Sequence, residues 1–238
     1  MSTVLKVRVG AEWVNTYKSP CNQNNLSYRD DHAKGFYNAM GNNGHTKVFC
    51  WGNDNAWETD FRHPDHGGDS HNWIDNVHFA FYSGHGGNWS DIFHNSFSKQ
   101  HDHCLGSSDK WKLGTKRLKW IVFDACQCVL SASSSHIGST WFKSARGVHM
   151  IFGFVGNGHD AWLTRNMGTD FGKKARSGSK LGNAWLDTAY SWWCDDNPIV
   201  IAFGQTESEA KSRRDHESIN WRDYNVSSSN WLAWKWRH

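Results

Sequence analysis

The sequence predicts an α/β fold, a three-layer sandwich whose mainly parallel sheet carries helices on both faces. Three observations lead there. Apolar runs of strand length are near-continuous rather than alternating, the pattern of strands covered on both sides. Stretches with helical spacing fall between those runs, as crossovers joining parallel strands do. The composition stays even along 238 residues, enough chain to bury a sizeable core, so residues 1–238 are expected to form a single domain.

The first strand-like run is TKVFCWG (Thr46–Gly52). NVHFAFYSG (Asn76–Gly84), LKWIVFDAC (Leu118–Cys126) and VHMIFGFVG (Val148–Gly156) follow, and PIVIAFG (Pro198–Gly204) lies towards the C-terminus. Among the helical patterns, SYRDDHAKGFYNAM sets Ala33, Phe36, Tyr37 and Met40 on one face, with Ser27 available as a cap. SKLGNAWLDTAYSWW repeats the spacing from Leu181 to Trp192, and TESEAKSRRDHES opens on Thr206 with acidic residues in its first turn, as the helix dipole favours. SSSHIGSTWFKSA and DAWLTRNMGTDFGKKA are further helix candidates. Asn53–Trp73 and Ser90–Lys116 read as long loops, which in a compact domain usually carry function.

Charge narrows the partners. With 26 Lys+Arg against 23 Asp+Glu and no basic stripe, a nucleic-acid surface is not indicated. The tail NWLAWKWRH mixes tryptophan with cations and is expected to pack onto the body. No apolar run approaches the roughly 18 residues of a membrane span, and the N-terminus lacks a signal-peptide core. A cytoplasmic chain without membrane partners is therefore expected. Cys21, Cys50, Cys104, Cys126, Cys128 and Cys194 show no small-scaffold framework, and all are expected to be thiols. Trp57, Trp73, Trp89 and Trp111 lie in polar company and are expected to anchor Gly/Asn-rich loops.

In an open parallel sheet, ligands sit outside the carboxyl ends of the strands. Two strands end in reactive groups: one in Tyr82-Ser83-Gly84-His85-Gly86-Gly87, a turn expected to need glycine, the next in Asp124-Ala125-Cys126-Gln127-Cys128. If those strands are neighbours, an imidazole and a thiol emerge on one edge, the minimal apparatus of nucleophilic catalysis. The flanking glycines let main chain approach a substrate, and an N–H there can stabilise an oxyanion.

FYSGHGG followed by IVFDACQC resembles the paired motifs of the caspase, legumain and gingipain group of cysteine peptidases. His85 stands 41 positions before Cys126, and caspases keep the same order at roughly 50. The resemblance implies a caspase-like sheet in which Cys126 attacks a carbonyl, His85 protonates the leaving amine, and the N–H groups of Gly86 and Cys126 hold the oxyanion. It also implies a thioester passed to water or to an amine. Asp124 precedes the Ala-Cys pair where legumains carry Glu and caspases Gln. Its role is supporting or substrate-side, or else it is a buried, hydrogen-bonded position. Cys128 stands where the group carries glycine nearby, as a second thiol or as filler. Asn157, His159, Asp160 and Trp162 follow the next strand, where relatives build part of the specificity pocket.

A competing chemistry is a metal site. His63, Asp65, His66, Asp69 and His71 crowd one loop, and His101–Cys104 adds donors, but the spacing matches no zinc pattern. Neither metal nor cofactor is expected. The readings carried forward are a cysteine-dependent acyl-transfer enzyme acting on a peptide or small molecule, a cyclase on the same scaffold, and a tryptophan-rich module that binds carbohydrate or protein.

Overall fold

The strand segments form because their side chains serve two cores at once. The computed structural model describes residues 6–42, 44–98, 103–193, 196–221 and 228–238. Its elements are, in chain order, β1 (Arg8–Trp13), α1 (Arg29–Gly41), β2 (Thr46–Gly52), β3 (Phe79–Ser83), β4 (Gly86–Trp89), β5 (Ile92–Ser96) and β6 (Leu105–Ser107). They continue with β7 (Trp120–Asp124), α2 (Ser134–Trp141), β8 (Met150–Phe154), α3 (Met167–Arg176), α4 (Leu181–Ala189), β9 (Pro198–Gly204), α5 (Glu207–His216) and β10 (Trp231–Trp236).

Among the described residues the main sheet has seven strands in the order β10-β9-β8-β7-β3-β1-β2. β2, β1, β3, β7 and β8 are mutually parallel, while β9 and β10 close the far edge antiparallel. Alternation along the central strands supplies both faces. Phe79, Phe81, Trp120, Val122, Met150 and Phe152 meet α1, α3 and α4 through Phe36, Phe171 and Trp185. Ala80, Tyr82, Ile121, Phe123 and Ile151 point the other way, against α2 and loop aromatics such as Phe61 and Trp111. The result is a three-layer α/β sandwich with a mostly parallel sheet.

The five expected strands are β2, β3, β7, β8 and β9, and the helical patterns hold as α1 to α5. Thr206 caps α5 through the Glu209 N–H, 3.2 Å away. Ser27 does not cap α1. The carboxylate of Asp160, from a distant loop, accepts the N–H groups of Ser27 and Tyr28 instead. The region read as one loop between Ser90 and Lys116 holds two strands of a second, three-stranded antiparallel sheet, β4-β5-β6. The tail packs on the body as expected, by pairing along β9. Trp111 is buried, but Trp89 is 48% exposed and anchors no core.

The expectation of free thiols throughout is corrected. Cys21 and Cys104 form a disulfide, joining the loop after β1 to the start of β6. Their separation of 83 residues hides the pairing in the sequence. Cys50, Cys126 and Cys128 are thiols, and Cys194 lies outside the described residues. No helix among the described residues is long and apolar enough to cross a membrane.

Candidate active site

β1 is followed in the chain by β2 on one side of it, whereas β3, β7 and β8 build outward on the other. That reversal opens a crevice at the carboxyl ends of β1 and β3. The three central strands end level there, with Ser83 opposite both Trp13 and Asp124. Each delivers one piece: β1 the segment 14–28, β3 His85, and β7 Cys126.

His85 is held on three sides. Its Nε2 lies 2.8 Å from the Asn24 carbonyl, and a carbonyl only accepts, so Nε2 carries the proton and Nδ1 is left as the basic nitrogen. Its main-chain N–H donates to the Tyr17 hydroxyl at 2.9 Å, and the Tyr17 ring packs against the imidazole at 5.0 Å. Burial pushes the imidazole pKa below its ordinary value. The Asn24 carbonyl and Asp160 oppose that shift, and Arg29 adds to it.

The glycines around it answer to crowding rather than to torsion. None of Gly84, Gly86 and Gly87 is in the left-handed region, which corrects the expected glycine-only turn. A Cβ at Gly84 would come 2.5 Å from the Tyr82 hydroxyl, and one at Gly86 would come 2.8 Å from Ala125 Cβ and 2.9 Å from the Cys126 carbonyl oxygen. The histidine and cysteine segments are therefore packed main chain to main chain. His85 accepts the Ser96 N–H from β5 at 3.0 Å, and ladder alternation then turns the Gly86 N–H off that edge. Two residues on, the Asn88 N–H leaves by the same side and reaches the Gln127 side chain at 3.2 Å. The Gly86 N–H thus faces the Cys126–Gln127 segment.

Cys126 is half-buried, and the residue after it, Gln127, bends the chain sharply with φ of +55°. Its Sγ lies 3.5 Å from the Gly158 carbonyl. No hydrogen bond joins it to His85. What the two share is Arg29, a buried guanidinium within electrostatic reach of both. Arg29 bonds Asp124 at 2.6 Å and the Gly158 carbonyl at 3.4 Å, and it stands 3.6 Å from Asp160.

Asp124 is fully buried. Besides Arg29 it meets His32 Nδ1 at 2.7 Å and accepts the Ser83 hydroxyl. Burial would raise its carboxyl pKa, but Arg29 and His32 outweigh that and hold it well below the usual carboxylate range. Of the roles left open for Asp124, the structure places it as a buried support, and Ser83 serves it in the same way. Tyr82 is buried and accepts the Ser96 N–H at 3.1 Å, so it is scaffold as well. Cys128 packs over Gly153, where burial pushes its thiol pKa far up, and it is filler.

The specificity candidates divide. Asp160 caps α1. His159 bonds Asp196 through its Nδ1 at 2.6 Å and its N–H at 2.9 Å, tying two loops at this edge together. Trp162 is exposed under Arg165, 4.1 Å from its ring, and Asn157 is exposed. The histidine-rich loop is occupied with itself: the His63 and His71 rings meet edge to face at 4.8 Å, Asp65 pairs with Lys112, and Asp69 accepts the Trp73 indole N–H at 3.0 Å. Among the described residues no three His, Cys, Asp or Glu side chains are grouped as metal ligands. His101 lies outside them.

Arg29, His32, Tyr17 and Asn24 were not singled out from the sequence. Arg29 and His32 carried a signal, since both fall on the apolar face of the α1 pattern beside Ala33 and Phe36. Asn24 acts through its main chain and carried none.

The family model described as Domain of unknown function (DUF6345) matches residues 11–237. No curated protein matches the chain.

Proposed function

The chain belongs to the DUF6345 family, and for this member we propose cysteine-dependent acyl transfer, as a peptidase or transpeptidase acting on a peptide or small acyl substrate. One observation carries the reading. His85–Gly86 and Ala125–Cys126 abut at the carboxyl ends of β3 and β7, beside the switch point of the sheet, with the imidazole fixed through Nε2 so that Nδ1 is its basic nitrogen.

In the proposed reaction Sγ of Cys126 attacks the substrate carbonyl carbon, and the thiol proton passes to Nδ1 of His85. The oxygen gathers negative charge facing the Gly86 and Cys126 N–H groups, and the Arg29 cation beneath favours charge at the edge. Collapse breaks the carbon–nitrogen bond, and the leaving amine takes the proton from Nδ1. The thioester is then attacked by water or by a second amine, and the thiol is restored. Asn24, Tyr17, Asp124 and Ser83 position these groups and exchange no proton with substrate. The resemblance to caspase-like peptidases supports the same roles for His85 and Cys126.

An electrophilic probe such as a chloromethyl ketone tests the reading. Cys126 should be labelled well ahead of Cys128, which is buried, and Cys50, whose thiol burial pushes up to about 11. Cys126→Ala should abolish turnover in a protein that still folds. Equal labelling of the three thiols, or turnover that survives Cys126→Ala, would overturn it.

A further inference from the structure

We propose that the exposed face of the β4-β5-β6 sheet is a subsite for the segment on the leaving-group side of the substrate, and that it selects an aromatic residue there. The proposal rests on the acyl-transfer reading and extends it to substrate class.

Strand alternation puts the pieces on one face. His85 pairs with Ser96, Gly87 with His94 and Trp89 with Ile92, so His85, Gly87 and Trp89 project together with His94 beside them. The opposite face, carrying Asn88, Phe93 and Asn95, is buried. On the open face the Trp89 and His94 rings stack at 3.7 Å with 4° between their planes. The indole also lies over Gly87, where a Cβ would come within 2.8 Å of it. The stack borders a recess of about 480 Å³ whose other walls include His103, Leu105, Ser107 and Lys110. Cys104 contributes to the same recess, so the disulfide to Cys21 fixes one wall.

The side of the substrate follows from the chemistry. The group that protonates the leaving amine must stand beside it, so the leaving segment departs past His85 and onto the face that His85 shares with Trp89. Stacked face to face, the two rings leave the outer face of the half-exposed indole as a flat apolar surface, and a further ring stacks on such a surface more favourably than an aliphatic chain does. Lys110 and Asp109 bring opposite charges near His94, so shape rather than charge sets the preference. By microscopic reversibility the same face receives the incoming amine in a transfer reaction. The amine nitrogen attacks the thioester carbonyl, the carbon–nitrogen bond forms, the carbon–sulfur bond breaks, and the amine proton passes through His85 to the departing thiolate.

The experiment uses that reversibility. The full-length protein is acylated at Cys126 with p-nitrophenyl acetate, and deacylation is followed in water, with glycinamide and with phenylalaninamide. Phenylalaninamide should accelerate deacylation about tenfold more than glycinamide at equal concentration, the effect of one ring contact. In Trp89→Ala that ratio should fall to near one. Trp89→Leu, which keeps the bulk and loses the ring, should do the same. Equal acceleration by the two amines in the unmodified protein, or a ratio that persists in both variants, overturns the subsite. Failure to form an acyl-enzyme at Cys126 shows before any amine is added and overturns the acyl-transfer reading beneath it.

Discussion

Asn24 and His85 stand 61 positions apart in the sequence, yet a main-chain carbonyl of the first fixes the tautomer of the second through a 2.8 Å hydrogen bond. With Nε2 so occupied, the protonation of Nδ1 governs whether His85 can act as a base. Its pKa is held below the ordinary histidine value by burial and by Arg29. Alkylation of Cys126 by iodoacetamide should therefore stay fast as the pH falls through about 6.5 and decline only below it. His85→Ala should remove that acid limb. An inflection at or above 6.5 in the unmodified protein would contradict the assignment.

The loop that carries Asn24 is tied down by the Cys21–Cys104 disulfide. Replacing both cysteines with serine should lower the unfolding free energy by about 2–4 kcal/mol, measured by urea denaturation without reductant. It should also slow the alkylation of Cys126, because the carbonyl that aligns His85 is less well held. An unchanged alkylation rate would mean that the loop keeps its place without the bridge.

Gly86 and Gly87 are adjacent and should respond differently to a methyl group. At Gly86 the new Cβ meets Ala125 Cβ and the Cys126 carbonyl, both fixed by β7, so Gly86→Ala should cost about 1–3 kcal/mol and displace the cysteine segment. At Gly87 it meets the exposed Trp89 ring, which can swing away. Gly87→Ala should leave the melting temperature nearly unchanged. Thermal unfolding together with probe labelling of Cys126 checks both.

Glu12 and Asp60 form a buried acidic pair near the site. Burial raises both pKa values and pushes Asp60 up to about 7 although Glu12 lowers it in part, and the Asp60 carboxyl raises Glu12 further. Glu58 and Asp69 act on Asp60 in the same sense. The folded protein thus holds protons here that the unfolded chain releases at about pH 4. The stabilising contribution is full below that pH and is lost as the pH rises through about 7. Asp60→Asn should therefore raise the melting temperature at pH 8 more than at pH 5. A shift of equal size at both would show that the pair is not proton-bearing.

The central strands were legible because each is apolar on both faces, and the motif residues because they stand at the ends of those strands. β1 was not, since RVGAEW carries a glycine and a glutamate that both turn inward, and Glu12 reads as a solvent position until Asp60 is placed beside it. β4 to β6 escaped because GGNW, IFHNS and LGS hold too few apolar residues to mark strands. In the candidate site, His85 and Cys126 are side chains at strand ends, and that position is what nominates them from the sequence. The carbonyls of Asn24 and Gly158 are main-chain groups, and residue type says nothing about where such groups point. Asp160 was read as pocket lining because it follows the strand after which the resembling peptidases build part of their pocket, and its carboxylate accepts two N–H groups more than 130 positions upstream.

That last contact also sets when the site comes into being. Asp160 holds the start of α1, Gly158 meets both Arg29 and the Cys126 sulfur, and His159 leans on Asp196. The surroundings of the thiol are thus drawn from both ends of the chain. During synthesis β1, β3 and β7 emerge with the histidine and the cysteine well before the segments that enclose them. A ribosome-bound chain stopped short of Asp196 would carry the thiol without its finished enclosure, so reactivity at Cys126 would arrive late, as a property of the nearly complete fold.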